Sequence, residues 1–153
     1  MNPAQPTIQD LFAAALARYL TVRPTGLQLP YGPLCASLRA TILVVRPART
    51  LYQNKKPVCR SLDGIQSIPA GRACASCLLR KTCTPQIYLE LLADGVPYRL
   101  LLAYSSARNF LLFAGRLKGK QQPLENAEVI ISVRDRGRWG ELHFLSPTPA
   151  PAR

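Results

Sequence analysis

One histidine, one tryptophan and eight carboxylates are spread through 153 residues. Acid–base chemistry has little to work with. No carboxylates pair at a metal-binding spacing, and His143 sits in the apolar run Leu142-His143-Phe144, the setting of a packed or strand-edge residue rather than a catalyst. Neither a G-x-x-x-x-G-K-[ST] loop nor a G-x-S-x-G elbow occurs, and Asp63, Ser105 and Ser106 have no activating base beside them in sequence. The sequence therefore predicts a protein that is not an enzyme. Long apolar runs are missing too. Leu11–Leu16 and Leu100–Tyr104 fall far short of the ~20 residues a membrane helix needs. The opening Met1-Asn2-Pro3-Ala4-Gln5-Pro6 has no basic stretch leading into an apolar one, so the expectation is a cytoplasmic chain with no membrane partner.

What the chain does have is positive charge. Twenty Lys and Arg against eight Asp and Glu give a formal +12, and 15 of the 20 are arginine, whose planar fork suits phosphates and whose flat face stacks on bases. That excess points to a polyanion, nucleic acid first and an acidic membrane second; a solubility charge or a patch for an acidic protein is the plainer alternative. With 48% of residues of hydrophobic type, the length suits one domain with a core of its own.

Apolar residues at 8, 11, 12, 15, 16, 19 and 20 recur with a helical period, and Thr7 is placed to cap an N-terminal helix over 7–20. Arg23-Pro24-Thr25-Gly26 ends it, and Pro30-Tyr31-Gly32-Pro33 is a further turn. Leu38–Arg46 reads as a strand bounded by Pro47. Residues 47–84 lose periodicity and read as a long basic insertion carrying cysteines. Two alternating runs, Pro85–Ala93 and Val96–Tyr104, flank Asp94-Gly95 and predict a hairpin. Ser105-Ser106 then caps a helix with Ala107, Phe110, Leu111, Ala114 and Leu117 on one face and Gly119 just past its end. Glu128–Arg134 and Arg138–Leu145 form a last strand pair.

Five strands with one helix between the third and fourth is the order of the OB-fold barrel, whose first-to-second and fourth-to-fifth loops frame an oligonucleotide face. The expected fold is mainly β: a five-stranded OB-like barrel over 1–145, with the N-terminal helix and a zinc-ribbon-like insertion in the first long loop. The alternative is a generic α+β sheet with such an insertion. Residues 146–153 read as a disordered Pro-rich tail.

Four cysteines punctuate the insertion. Cys59, Cys74, Cys77 and Cys83 are spaced C-x14-C-x2-C-x5-C, in which the central pair forms a knuckle and the outer two close a tetrahedral thiolate shell. Zinc in a closed, structural site is the first expectation. An iron–sulfur cluster on the same thiolates, or cysteines without a metal, are the alternatives. Cys35 reads as a small buried hydrophobe.

Arg46, Arg49, Lys55, Lys56, Arg60, Arg72, Arg80 and Lys81 fall in the insertion region, where Asp63 is the sole acid, leaving +7 over 36 residues. Tyr52 precedes Lys55 and Lys56, and Trp139 sits beside Arg136 and Arg138. Either ring could stack on an unpaired base while the cations hold phosphates, or serve as strand-end packing. These twelve residues are the candidate nucleic-acid contacts.

The pattern Pro57-Val58-Cys59-Arg60-Ser61-Leu62-Asp63-Gly64, then Gly71-x-x-Cys74-x-x-Cys77, then Cys83 before a hydrophobic strand pair, resembles a group of small phage and mobile-element proteins with a C-x-S-x-D-G element and a cysteine-rich insert. The likeness spans about residues 38–117. That group is similar to single-stranded-DNA-binding proteins of the OB class. The resemblance implies Cys59, Cys74, Cys77 and Cys83 as metal ligands, Ser61, Asp63 and Gly64 as the turn shaping the loop, and a role in DNA replication, recombination or repair. The short Leu78–Thr82 spacer and the absence of an acidic tail depart from the pattern and count against a replication-hub role. The functional expectation is single-stranded nucleic-acid binding, most readily DNA, with a replication or recombination protein as a further partner. A zinc-stabilised adaptor docking an acidic partner is the alternative. A double-strand reader is disfavoured because the 106–117 helix carries only Arg108 and Arg116 on a mostly apolar segment.

Overall fold

The structure, a computed structural model, describes residues 18–30, 32–61, 73–74 and 82–147. Its strands are β1 (Arg18–Tyr19), β2 (Thr21–Arg23), β3 (Gly26–Gln28), β4 (Leu34–Cys35), β5 (Ser37–Gln53), β6 (Lys56–Ser61), β7 (Thr84–Ala93) and β8 (Val96–Ala103). Helix α1 (Tyr104–Gly119) follows, then β9 (Glu128–Asp135) and β10 (Gly140–Leu145). The main sheet runs β1-β8-β7-β5-β9-β10 with β6 added to β5, and β2-β3-β4 form a small second sheet.

The β7–β8 hairpin follows directly from the sequence. Leu89 and Leu91 alternate inward opposite Leu100 and Tyr98, while Asp94 and Gly95 both take positive φ, 50° and 75°, as a two-residue turn of matching twist requires. Leu89, Leu91, Leu100 and Leu102 are buried with Ile42, Val129, Ile131 and Leu142 in one core, each such side chain contributing roughly 1.5–3 kcal/mol. Helix α1 lays Phe110, Phe113 and Leu117 onto that core beside Phe144.

The 17-residue β5 ties the sheet together. Its first part, Ser37–Thr41, pairs with β9; Thr41–Thr50 pairs with β7; Arg49–Gln53 pairs with β6. A register shift between Ile42 and Val44 marks where the strand leaves β9, and such bulges bend and twist a strand. Ile42 still donates to the Ala127 carbonyl (2.9 Å) and accepts from the Asn126 N–H (2.7 Å).

Several expectations change. The 47–84 insertion is not loop from its start: residues 47–61 extend β5 and form the β5–β6 hairpin. Pro47 does not end the strand because it sits between the β9 and β6 pairings, where, among the described residues, β5 has β7 on one side only. Of the 7–20 helix, 7–17 lie outside the described residues, and Arg18–Tyr19 are extended, in parallel register with Tyr98–Arg99 of β8. Backbone pairing with an open strand edge prevails there over apolar periodicity. The five expected core strands are present in order, with the helix between the third and fourth. Among the described residues, however, β8 and β10 do not pair and the sheet is not a closed barrel. The β8 backbone that faces away from β7 is engaged by β1 and by the Leu20 N–H, which donates to the Arg99 carbonyl at 2.8 Å.

Helix α1 also differs from its sequence reading. Ala103 stands at the N-cap with no side-chain cap, and Ser106 Oγ instead accepts from the buried Leu142 N–H at 3.0 Å, tying the helix to β10. Phe113 takes the core position expected of Leu111, which is 61% exposed. The tail beyond residue 147 and the Ser61-Asp63-Gly64 turn, except Ser61 itself, lie outside the described residues.

Candidate nucleic-acid interface

The β5–β6 hairpin turns on Asn54 and Lys55, both at positive φ (53° and 65°), and presents Tyr52, Lys55 and Lys56 to solvent. A chain of hydrogen bonds fixes its base: Thr50 Oγ1 donates to Gln86 Oε1, Gln86 Nε2 to the Tyr52 hydroxyl (3.4 Å) and Arg60 Nε to Thr50 Oγ1 (3.4 Å). Thr50 and Gln86 are buried, so this network locks β7 to β5 and aims Tyr52 and Arg60. Further along β5, Arg46 is exposed opposite Tyr88, and Arg49 is half-buried opposite Pro85. The Tyr88 hydroxyl donates to Glu90 Oε1 at 2.8 Å. Burial, reinforced by Glu90, pushes its pKa well above the ordinary tyrosine value, so Tyr88 is a neutral packing residue.

The β9–β10 turn is the second basic end. Arg134, Arg136, Arg138 and Trp139 are all exposed, and the turn is set by Gly137 N–H donating to Asp135 Oδ1 (2.7 Å) and Arg136 N–H to the Trp139 carbonyl (3.0 Å). Beneath it lies a cluster that sequence reasoning missed. Glu141 Oε1 accepts from Arg136 Nη2 (3.1 Å) and Asn109 Nδ2 (3.4 Å), and lies 2.7 Å from His143 Nε2. The Arg136 guanidinium holds the Glu141 carboxyl down to about 2 against the opposing effect of desolvation, with His143 and Asn109 assisting. Glu141 is thus a fixed anion that pins Arg136 and His143. The signal was the i, i+2 pair Glu141 and His143, which a strand places on one face. That face, with Asn109 and Arg116 of α1 and Ser132 and Arg134 of β9, borders an open cleft of about 720 Å³.

These two basic ends are not neighbours. Ser37 is opposite Ser132, so the β9–β10 turn lies beyond the start of β5, whereas Lys55 lies beyond its end. Arg46 lies between them.

Of the cysteines, Cys59 is half-buried on β6 opposite Leu51, Cys83 is half-buried just before β7, and Cys74 is half-buried in the short piece Ala73–Cys74. Strand β5 stands between Cys59 and Thr84, the neighbour of Cys83. Cys77, Arg72, Arg80 and Lys81 lie outside the described residues. Among the described residues no group of three or more His, Cys, Asp or Glu gathers where it could hold a metal ion. Cys35 is half-buried rather than fully so, its thiol 3.8 Å from the Pro33 carbonyl.

Among the described residues, no helix is long and apolar enough to cross a membrane. Comparison with protein-family models, with curated proteins and with solved structures finds no match for this chain.

Proposed function

We propose that this chain binds single-stranded nucleic acid, most readily DNA, without catalysing a reaction, and serves replication, recombination or repair. The observation that carries the reading is that each of two strand-connecting turns holds an exposed aromatic ring among exposed cations: Tyr52 with Lys55 and Lys56, Trp139 with Arg134, Arg136 and Arg138. Cations neutralise phosphates while rings stack on bases, the combination that unpaired strands require. The strand order supports an OB-like assignment, since β5, β7, β8, β9 and β10 with α1 between the third and fourth follow that topology. Cys59, Cys74, Cys77 and Cys83 would hold a zinc ion that braces the basic insertion; an iron–sulfur cluster is the competing occupant.

Fluorescence anisotropy of labelled single- and double-stranded oligonucleotides over a range of salt tests the proposal. Tight single-strand binding whose log–log salt slope is about −0.7 per neutralised phosphate is expected. No binding, or a flat salt response, overturns it. Metal analysis of the purified protein, with thiol titration, decides the cysteine site: one zinc per chain with Cys35 as the one reactive thiol is expected, and five reactive thiols with no metal refute it. A second reading, an adaptor for an acidic protein, draws on the exposed Leu111 and Leu112 of α1. It predicts that a pull-down recovers a protein while oligonucleotide leaves the chain's mobility unchanged.

A further inference from the structure

Where β8 hands over to α1, two aromatic residues stand out of the fold. Trp139 is 48% exposed and Tyr104 is 77% exposed. Both line one cleft of about 500 Å³ whose remaining walls are mainly Val22, Leu101, Ala103 and Leu142. We propose that this cleft is a stacking pocket for one unpaired nucleobase, an inference that rests on the single-strand-binding reading and assigns it a subsite.

Tyr104 is held at φ +51°, the left-handed region that a bulky residue enters at a cost, yet its ring gains almost no burial there. The positive φ turns the chain directly from β8 into α1, and the ring it leaves in solvent is free to meet a flat ligand. The opposite wall is built by close approach. A Cβ on Gly140 would collide with the Arg23 carbonyl and the Val133 side chain, so the bare glycine lets β2 lie across the start of β10 and brings Val22 to the cleft beside Trp139. Among the described residues the walls are apolar and aromatic apart from Ser105 and Ser106 and carry no carboxylate, while exposed arginines stand nearby: Arg138 precedes Trp139 in the turn, and Arg23 lies on β2, its carbonyl close against Gly140. The turn's acid, Asp135, accepts from the Gly137 N–H. A mainly apolar, aromatic slot beside exposed arginines complements a planar base on an anionic backbone, whereas an acidic peptide offers the charge without the plane.

Trp139 is the chain's sole tryptophan, so its fluorescence reports on the pocket directly. The full chain is titrated with a short thymidine oligomer and with an abasic oligomer of equal length and charge. Thymidine should quench Trp139 and bind roughly 5- to 150-fold more tightly than the abasic strand, the range for one stacked base. Trp139→Ala should lower thymidine affinity toward the abasic value and leave abasic affinity unchanged, while Trp139→Phe retains most of it. Tyr104→Asn removes the second ring with a residue that tolerates the same φ, and it keeps the test alive should Trp139→Ala not fold. If thymidine binds without quenching and no variant changes its advantage, the pocket is refuted while strand binding stands. Equal binding and quenching by both oligomers refutes it likewise. If neither oligomer binds, both readings fall.

Discussion

Replacing Phe113 with alanine and, separately, Leu111 with alanine tests the rotation of α1 about its axis, on which the position of Tyr104 and the Ser106 tie depend. Phe113 is 1% exposed, with ring centroids 6.2 Å from Phe110 and 6.4 Å from Phe144, inside the range of favourable aromatic pairs. Truncating such a buried ring costs about 3–5 kcal/mol. At roughly 2–4 °C per kcal/mol for a domain of this size, the midpoint should fall by about 6–20 °C. Against a total stability of about 5–15 kcal/mol, that loss leaves the domain marginal. Leu111 projects into solvent, so its truncation should stay within about 0.5 kcal/mol, or about 2 °C at most. Circular-dichroism melts at one pH and salt concentration, with urea titrations for the free energies, give both values. A Leu111→Ala loss equal to or larger than that of Phe113→Ala would refute the helix orientation.

Three more expectations concern the β10 neighbourhood. Gly140→Ala should destabilise the domain by about 1–3 kcal/mol, because the added carbon meets backbone and a packed valine; urea midpoints check it, and a neutral result contradicts the close approach of β2. Ser106→Ala leaves the buried Leu142 N–H without its acceptor and should cost about 1–3 kcal/mol by the same assay; hydrogen exchange at that amide should quicken, and unchanged protection would count against the tie. Glu141 is held down to about 2 from an ordinary 4.5, so its contribution to stability is present above pH 4.5 and fades as the pH drops toward 2. Glu141→Gln should therefore flatten the fall of the urea midpoint over that interval, and parallel curves for the two proteins would rule the cluster out as its source.

The sequence was legible where local chemistry and tertiary context agree. Asp94-Gly95 between alternating apolar runs specifies a hairpin with little outside help, and the last strand pair around Gly137 follows in the same way. It was misleading where a distant partner decides. Pro47 reads as a strand stop until β7 is known to pair on one side with no second strand opposite among the described residues. Tyr19 matches a helical stripe until the side of β8 away from β7 offers Arg18–Tyr19 a strand partner. Leu111 and Phe113 are both apolar and two positions apart; only the ring cluster with Phe110 and Phe144 settles which turns inward. In the candidate site, the basic and aromatic residues were visible from composition alone. The cluster around Glu141 was not, because it joins residues of a turn, a strand and a helix, with Asn109 reaching Glu141 from 32 positions away. Nor could spacing show that the two basic turns stand at opposite ends of one long strand.

The two-residue strand β1 has a consequence beyond its size. It covers part of the outer margin of β8, a strand whose run Leu100-Leu101-Leu102 makes it a ready template for another chain's backbone. A chain shortened to begin after Tyr19 would uncover that margin, and copies could add to one another strand by strand. Solubility would then be governed by this short flap rather than by the large positive charge, which screens away as salt rises while backbone pairing does not.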